Sequence, residues 1–225
     1  MLTVDVYSDV ICPWCFVGKR RLEKGLALAG KSATVRWHPF ELNPDMPREG
    51  VERRAYRVKK FGSWERSLEL DAQVGRAFAG EGLVFNPDGM ARTPNTFDAH
   101  RVIWLAGGRG VQDAVVEALF RAYFTDGRDL SDPATLAAVA VEGGLDPGEV
   151  NELLAGDRGA AEVRRWEQQG QRLGISGVPF FVVNGAVALS GALPPEAFRA
   201  AIGQATAAGG GDACDLDPVN GKREC

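Results

Sequence analysis

Strand-like patterns occur near both ends of the chain: hydrophobic and polar residues alternate at its start, and short apolar runs occur near its end. Leu2–Tyr7 alternates Leu, Val and Val with Thr, Asp and Tyr, and Ala33–Phe40 has a similar strand-like composition. Late in the chain, the apolar run Val178–Val183 is followed by Asn184-Gly185 and a second apolar run. An Asn-Gly pair between two apolar runs is a strong hairpin signal. We therefore expect two strands at the start of the chain and a hairpin near its end.

Helical periodicity fills the intervals between these strands. Cys15, Leu22, Leu26 and Ala29 recur at steps of seven, four and three, which predicts a helix that ends at Gly30. From about residue 48 to 173 we find helical patterns and no convincing strand. A last helix is expected to run from Pro194-Pro195 to about residue 208, because proline suits a first helical turn.

The order of these elements predicts an α/β protein whose small sheet is interrupted by a long helical segment. We assign 1–45 and 157–208 to one discontinuous α/β domain and 46–156 to an all-helical insertion. Residues 209–225 form a polar tail that contains Cys214 and Cys225, the second cysteine pair.

Composition narrows the function classes. The chain has 225 residues, of which 45% are hydrophobic and 25% charged, as in an ordinary globular protein. With 26 basic and 30 acidic side chains its net charge is −4, which disfavours a sequence-independent nucleic-acid binder. We see neither a signal-peptide pattern nor an apolar run of the roughly 20 residues that a membrane span requires. We therefore expect a cytoplasmic protein with no membrane partner.

Cys12-Pro13-Trp14-Cys15 is the most informative motif. Two cysteines three residues apart at the first turn of a helix can form a disulfide with little backbone movement. The helix N-terminus favours a thiolate at Cys12, which we expect to face solvent as the attacking group. Cys15 falls on the apolar stripe, so it is expected to be a buried thiol that resolves a mixed disulfide.

The same motif has other interpretations. A Cys-x-x-Cys pair can be half of a zinc site, but structural zinc usually needs a second such pair or a close pair of histidines. It can also arise by chance among buried cysteines. We expect no metal at this pair, and zinc shared among all four cysteines is the weaker alternative.

The neighbouring motifs strengthen the redox interpretation through a family resemblance. DVYSDVICPWCFVGKRRLE, RWHPFELNPDMP, TPNTFDAHR and GISGVPFFVVNG occur in this order over most of the chain. Together they resemble the DsbA-like family of thioredoxin-fold oxidoreductases, and within it the FrnE-type branch. The resemblance implies a thioredoxin-like fold with a helical insertion. It also implies a cis-proline at Pro179, with Val178 offering backbone hydrogen bonds to an extended substrate.

The resemblance implies thiol–disulfide exchange or disulfide isomerisation, with Cys12 and Cys15 as catalytic residues. Pro13, Trp14, Val178 and Pro179 would contact the substrate, which we expect to be a protein thiol or disulfide. No separate cofactor is required, although glutathione or another small thiol could supply electrons. We favour a monomer. The alternative is a glutathione-dependent isomerase or transferase acting on a small aromatic molecule, although those relatives typically carry serine at the position of Cys12.

The remaining candidates have weaker signals. We expect His38 and His100 to be structural or surface groups, Glu41 to be solvated, and Asn95 to cap a helix. Cys214 and Cys225 are separated by ten residues. They could form a structural clip worth up to about 3 kcal/mol, or a second redox pair that exchanges with Cys12.

Overall fold

The computed structural model describes residues 1–208 together with 215–216 and 223–224. Its strands are β1 (Thr3–Ser8), β2 (Thr34–Pro39), β3 (Val51–Glu52), β4 (Arg92–Thr93), β5 (Phe180–Val183), β6 (Val187–Ser190), β7 (Asp215–Leu216) and β8 (Arg223–Glu224). Its helices are α1 (Pro13–Ala29), α2 (Arg53–Phe61), α3 (Trp64–Gly80), α4 (Phe97–Gly107), α5 (Gln112–Phe124), α6 (Pro133–Glu142), α7 (Pro147–Ala155), α8 (Ala160–Arg172) and α9 (Pro195–Ala208).

The central sheet combines strands from the two ends of the chain in the order β2-β1-β5-β6. β1 pairs in parallel with β2, from Thr3 opposite Thr34 to Ser8 opposite Pro39. β5 returns antiparallel to β1 and pairs with β6 in the predicted hairpin. Strand alternation places Val6 and Phe181 on the α1 and α9 face, where Phe181 meets Phe198 at 4.8 Å between ring centroids.

The hairpin turn follows from its sequence. Asn184 and Gly185 both have positive φ angles, of 49° and 65°, which asparagine and glycine tolerate best. The Asn184 side chain also accepts a hydrogen bond from the backbone N–H of Thr3 at 2.9 Å. The predicted Asn-Gly turn is confirmed, and its first residue ties the hairpin to the start of β1.

The insertion is predominantly helical, as expected, and proline marks the start of two of its helices. Asp132 and Asp146 accept hydrogen bonds from backbone N–H groups in the first turns of α6 and α7, and a proline follows each aspartate. The short pair β3–β4, which the sequence pattern did not indicate, joins Val51 to Thr93. It fixes the start of α2 close to the start of α4.

Aromatic packing attaches the insertion to the α1 face of the sheet. Phe16 on α1 stacks on Phe120 of α5 with centroids 5.0 Å apart, and it meets Phe78 of α3 edge-on at 5.7 Å. All three side chains are fully buried. Aromatic pairs in these geometries add to the stabilisation from burial. Helices α3 and α5 of the insertion are therefore held against the helix that begins at the Cys-Pro-Trp-Cys motif.

Among the described residues, no helix is both long and apolar enough to cross a bilayer.

Candidate active site

The two cysteines of the motif lie at the N-terminal end of α1. Cys12 precedes the first helical turn with an extended backbone, and Pro13 occupies the first helical position. The backbone N–H of Cys15 donates to the carbonyl oxygen of Cys12 at 3.0 Å, which closes the opening turn. Both cysteines are free thiols in this structure.

The prediction that Cys12 faces solvent is wrong. Its exposed fraction is 5%, whereas the neighbouring Trp14 is 40% exposed. The cause is the loop before β5: the Cys12 thiol donates a hydrogen bond to the carbonyl oxygen of Val178, with 3.5 Å between Sγ and oxygen. Cys12 instead opens onto a cavity beside the motif.

The Val178-Pro179 segment lies against the first turns of α1. The Val178-Pro179 peptide bond is cis, as the family resemblance implied. A Cβ atom added to Gly18 would lie 3.0 Å from the Phe181 ring and 3.1 Å from Cγ of Pro179. Glycine at this position of α1 therefore allows the proline to approach the helix next to Cys12.

Cys15 lies behind Cys12 and is completely buried, as predicted. Burial raises the pKa of the Cys15 thiol well above its usual value, and the neighbouring Cys12 raises it further. The charge of Asp9 acts in the same direction, while a hydrogen bond from the Asp9 backbone opposes it. Cys15 is thus held as a neutral thiol until a proton acceptor or a change at Cys12 alters its surroundings.

A buried cluster of ionisable groups surrounds Asp9 in the loop between β1 and α1. Asp9 accepts a hydrogen bond from the backbone N–H of Leu42 at 2.7 Å. Its Oδ1 lies 3.7 Å from Nε2 of His100, beyond hydrogen-bond distance. Among the described residues, this nitrogen and Oε1 of Glu41 are buried without a hydrogen-bond partner. The expectation that Glu41 is solvated is therefore wrong.

Burial and the charges in this cluster shift the pKa values of Glu41 and His100. Burial raises the pKa of Glu41 to about 7, against the opposing effect of His100, and the carboxylates of Glu167 and Asp9 add to the rise. Burial alone would lower the pKa of His100, but proximity to Asp9 and Glu41 outweighs it and raises the value. Glu41 can therefore change protonation near neutral pH, whereas the raised pKa of His100 favours its protonated form.

The cavity beside the motif has a volume of about 260 Å³. The motif contributes Cys12, Pro13 and Trp14 to its wall. The insertion contributes apolar side chains to the wall, from Leu70, Val74, Phe85, Met90 and Phe124. It also contributes a group of charged side chains, from Arg53, Arg57, Lys60 and Asp71. The structure thus places Cys12, Pro13 and Trp14 at the edge of a partly enclosed space, while Val178 contacts Cys12 from the loop before β5.

The other sequence candidates take structural positions or lie elsewhere. His38 contacts Asp5 through Nε2 at 2.7 Å on the sheet face that packs against α8. The side chain of Asn95 accepts a hydrogen bond from the N–H of Phe97, but Thr96 is the N-cap residue of α4, so the prediction that Asn95 caps this helix is wrong by one position. Cys214 and Cys225 lie outside the described residues, so their pairing stays a prediction.

Sequence reasoning missed Asp9, Gly18 and the charged wall of the cavity. Asp9 stands three residues before Cys12, a spacing that could have drawn attention to it. Its burial depends on Leu42 and His100, which are distant in sequence. Within the described part of the chain, no group of three or more His, Cys, Asp or Glu side chains is arranged to hold a metal ion.

Three features define a protein of the thioredoxin-fold class. They are the sheet order β2-β1-β5-β6, the Cys-x-x-Cys pair at the start of α1, and the cis-proline beside that pair. Residues 3–203 match the family model of the DSBA-like thioredoxin domain. The chain therefore belongs to that family.

Comparison with individual proteins agrees with this assignment. The crystal structure of a probable DsbA oxidoreductase from Streptomyces coelicolor is similar over 100% of both chains, with 35% identity and a TM-score of 0.85. The protein YwbO of Bacillus subtilis, described as uncharacterized, is 28% identical over 88% of this chain and 94% of its own. The fold is also similar to that of the cytosolic disulfide reductase DsbM from Pseudomonas aeruginosa, solved with GSH. That likeness covers 91% of this chain and 99% of DsbM, at 18% identity and a TM-score of 0.64.

Proposed function

We propose that this protein catalyses thiol–disulfide exchange through Cys12 and Cys15, on protein thiols and disulfides in the cytoplasm. The observation that carries the proposal is the pairing of unlike thiols at the start of α1. Cys12 opens onto a cavity, whereas Cys15 is completely buried behind it. Membership of an oxidoreductase family supports the proposal, and the similarity to a cytosolic disulfide reductase favours the cytoplasm.

The reaction consists of two displacements. The Cys12 thiolate attacks one sulfur of a substrate disulfide, and the second substrate sulfur leaves as a thiolate and takes up a proton. Cys15 then loses its proton and attacks the Cys12 sulfur, which releases the first substrate sulfur as a thiol. The substrate gains two electrons and the enzyme pair becomes a disulfide. The reverse sequence oxidises a substrate dithiol. Isomerisation starts with the same attack by Cys12 and ends when a different substrate thiolate attacks the mixed disulfide, which forms a new substrate disulfide and releases the Cys12 thiolate.

The surroundings of Cys12 suit a substrate chain that approaches in an extended conformation. The Val178 carbonyl oxygen already accepts a hydrogen bond from the Cys12 thiol, so a substrate N–H can replace that donor once Cys12 is in a mixed disulfide. Pro179 and Trp14 flank the same position, and glutathione is the small thiol that we propose as electron partner.

Two cysteine variants test this proposal. Cys12→Ser should abolish the reduction of insulin and the repair of scrambled disulfides, because it lacks the attacking sulfur. Cys15→Ser should accumulate a mixed disulfide between Cys12 and the substrate, because the resolving sulfur is absent. Full activity in Cys12→Ser would overturn the proposal. Full turnover in Cys15→Ser, with reversible binding of glutathione, would favour the isomerase or transferase alternative.

A further inference from the structure

Two cations share one carboxylate in the wall of the cavity onto which Cys12 opens. Arg53 of α2 forms an ion pair with Oδ2 of Asp71 at 2.7 Å, and Arg57 pairs with Oδ1 of the same side chain at 2.8 Å. The exposed side-chain fractions of Arg53, Arg57 and Asp71 are 7%, 17% and 6%. A formal charge of +1 therefore remains in a largely desolvated place.

The groups near Arg57 do not neutralise this charge. Its ionisable neighbours are Asp71, Arg53, Tyr123 and Tyr56. Burial raises the pKa of Tyr123 far above its ordinary value, so the phenol is neutral. Burial lowers the pKa of Arg57, the response expected of a cation that lacks a full counter-charge. A buried charge without an equal partner is costly, and a bound anion removes that cost.

A further cation stands at the edge of the same cavity. The ammonium group of Lys60 donates to the hydroxyl of Tyr56 at 2.6 Å, and it has no carboxylate partner within the described residues. Arg57 uses Nε and Nη2 on Ser67, in addition to its ion pair. In the part of the chain that the structure describes, no protein acceptor takes a hydrogen bond from Nη1 of Arg57. Donors for an anion are therefore available on the α2 side of the cavity.

Most of the remaining wall is apolar, although Gln73 and Thr93 also line it. Ile11, Trp14, Leu42, Val74 and Phe85 line the space between these cations and Cys12. Its volume of about 260 Å³ is just below the range of roughly 300–1,000 Å³ for pockets that take drug-sized ligands. The space suits a molecule of modest size with an apolar body and an acidic end.

We propose that this cavity binds a low-molecular-weight organic carboxylate whose apolar body carries the reacting thiol or disulfide sulfur. Arg57 and Lys60 face its carboxylate, the apolar wall contacts its body, and Cys12 meets its sulfur. This inference rests on the proposed exchange function and adds a class of small substrate to it.

A pair of probe disulfides tests the proposal. Dithiobis(nitrobenzoate) carries two carboxylates and dithiodipyridine carries none. In each reaction the Cys12 thiolate attacks one probe sulfur and the first aromatic thiolate leaves. Cys15 then loses a proton and displaces the second aromatic thiolate from Cys12. Two electrons pass from the enzyme pair to the probe, and absorbance records both thiols. The ratio of the two second-order rate constants measures selectivity for the carboxylate and cancels changes in the reactivity of Cys12.

Charge-removing variants give the expected results. Arg57→Gln should lower the ratio about tenfold, as expected for the loss of a charge-assisted hydrogen bond. Arg57→Lys should retain most of it. Lys60→Gln removes an exposed charge and should lower the ratio about threefold. Arg66→Gln is the matched control, because Arg66 is an exposed cation of α3 that pairs with Glu69, and its ratio should equal that of the wild type.

The outcomes separate this proposal from the exchange function. Equal ratios in Lys60→Gln, folded Arg57→Gln and the wild type would overturn the carboxylate site, and so would an equal fall in Arg66→Gln. If Arg57→Gln does not fold, the rate-constant ratios of Lys60→Gln and Arg57→Lys are compared with that of the wild type instead. If neither probe oxidises the Cys12–Cys15 pair in the wild type, the exchange function itself fails.

Discussion

Replacing Glu41 with glutamine tests the buried ionisable cluster beside Cys15. Oε1 of Glu41 is buried without a hydrogen-bond partner among the described residues, and Asp9 and Glu167 add negative charge nearby. These surroundings raise the pKa of Glu41 from 4.5 to about 7, with burial as the largest cause. Glutamine keeps the shape of the side chain and cannot ionise, so Glu41→Gln removes the cost of charging it.

The direction and size of the effect follow from proton linkage. A carboxyl whose folded pKa is raised stabilises the fold fully below its unfolded pKa, here 4.5, and loses that contribution as pH rises through about 7. A rise of this size corresponds to at most about 3 kcal/mol. Glu41 is partly exposed, so solvent screening reduces the expected loss to about 1–2 kcal/mol.

The assay is urea unfolding at several pH values between about 4.5 and 8, with all cysteines reduced. The wild type should lose about 1–2 kcal/mol of unfolding free energy across this range relative to Glu41→Gln, and the variant should be the more stable protein at the upper end. Glu69→Gln, at an exposed position of α3, should follow the wild type. Parallel pH profiles for the wild type and Glu41→Gln would refute the reasoning, as would a variant that is less stable at every pH.

Two further substitutions, with Gly80→Ala as a control, test contacts between packed elements, and urea unfolding is the measurement. Gly25→Ala should destabilise by about 1–3 kcal/mol, despite a gain in helix propensity, because its Cβ would lie 2.4 Å from Cβ of Phe198 on α9. In Gly80→Ala the added Cβ meets no atom within 4 Å, so this variant should be more stable than the wild type by up to about 1 kcal/mol. A similar change in the unfolding free energy of Gly25→Ala and Gly80→Ala would contradict the close contact between residue 25 and Phe198. Arg101→Met should cost about 3–5 kcal/mol, because the buried guanidinium donates to the carbonyl oxygens of Leu153, Gly156 and Arg158. A loss below about 1 kcal/mol would show that water or neighbouring groups satisfy these carbonyls.

The elements that carry strong local signals were predictable from the sequence. The alternation of β1, the proline-started helix after Cys12 and the Asn184-Gly185 turn depend on backbone preferences and on periodicity within a few residues. The position of Cys15 on the apolar stripe of α1 likewise predicted its burial. These features are local, so neighbouring residues suffice to indicate them.

The features that were missed depend on contacts between distant segments. Cys12 is covered because Val178, 166 residues later, places its carbonyl oxygen against the thiol. Glu41 loses its solvent where α4 and α8 bring His100 and Glu167 beside it. The two-residue strands β3 and β4 are too short to produce a period of their own. None of these contacts leaves a pattern in the residues that surround it along the chain.

An equilibrium titration of the protein against glutathione redox buffers tests the central claim most directly. Each cysteine pair is followed separately by alkylation and peptide mass spectrometry, so Cys214 and Cys225 are counted apart from the motif. The account predicts that Cys12 and Cys15 interconvert between dithiol and disulfide at glutathione ratios found in cells, with a midpoint that distinguishes a reductase from an oxidase or isomerase. A Cys12–Cys15 pair that never forms a disulfide across the whole range would contradict it.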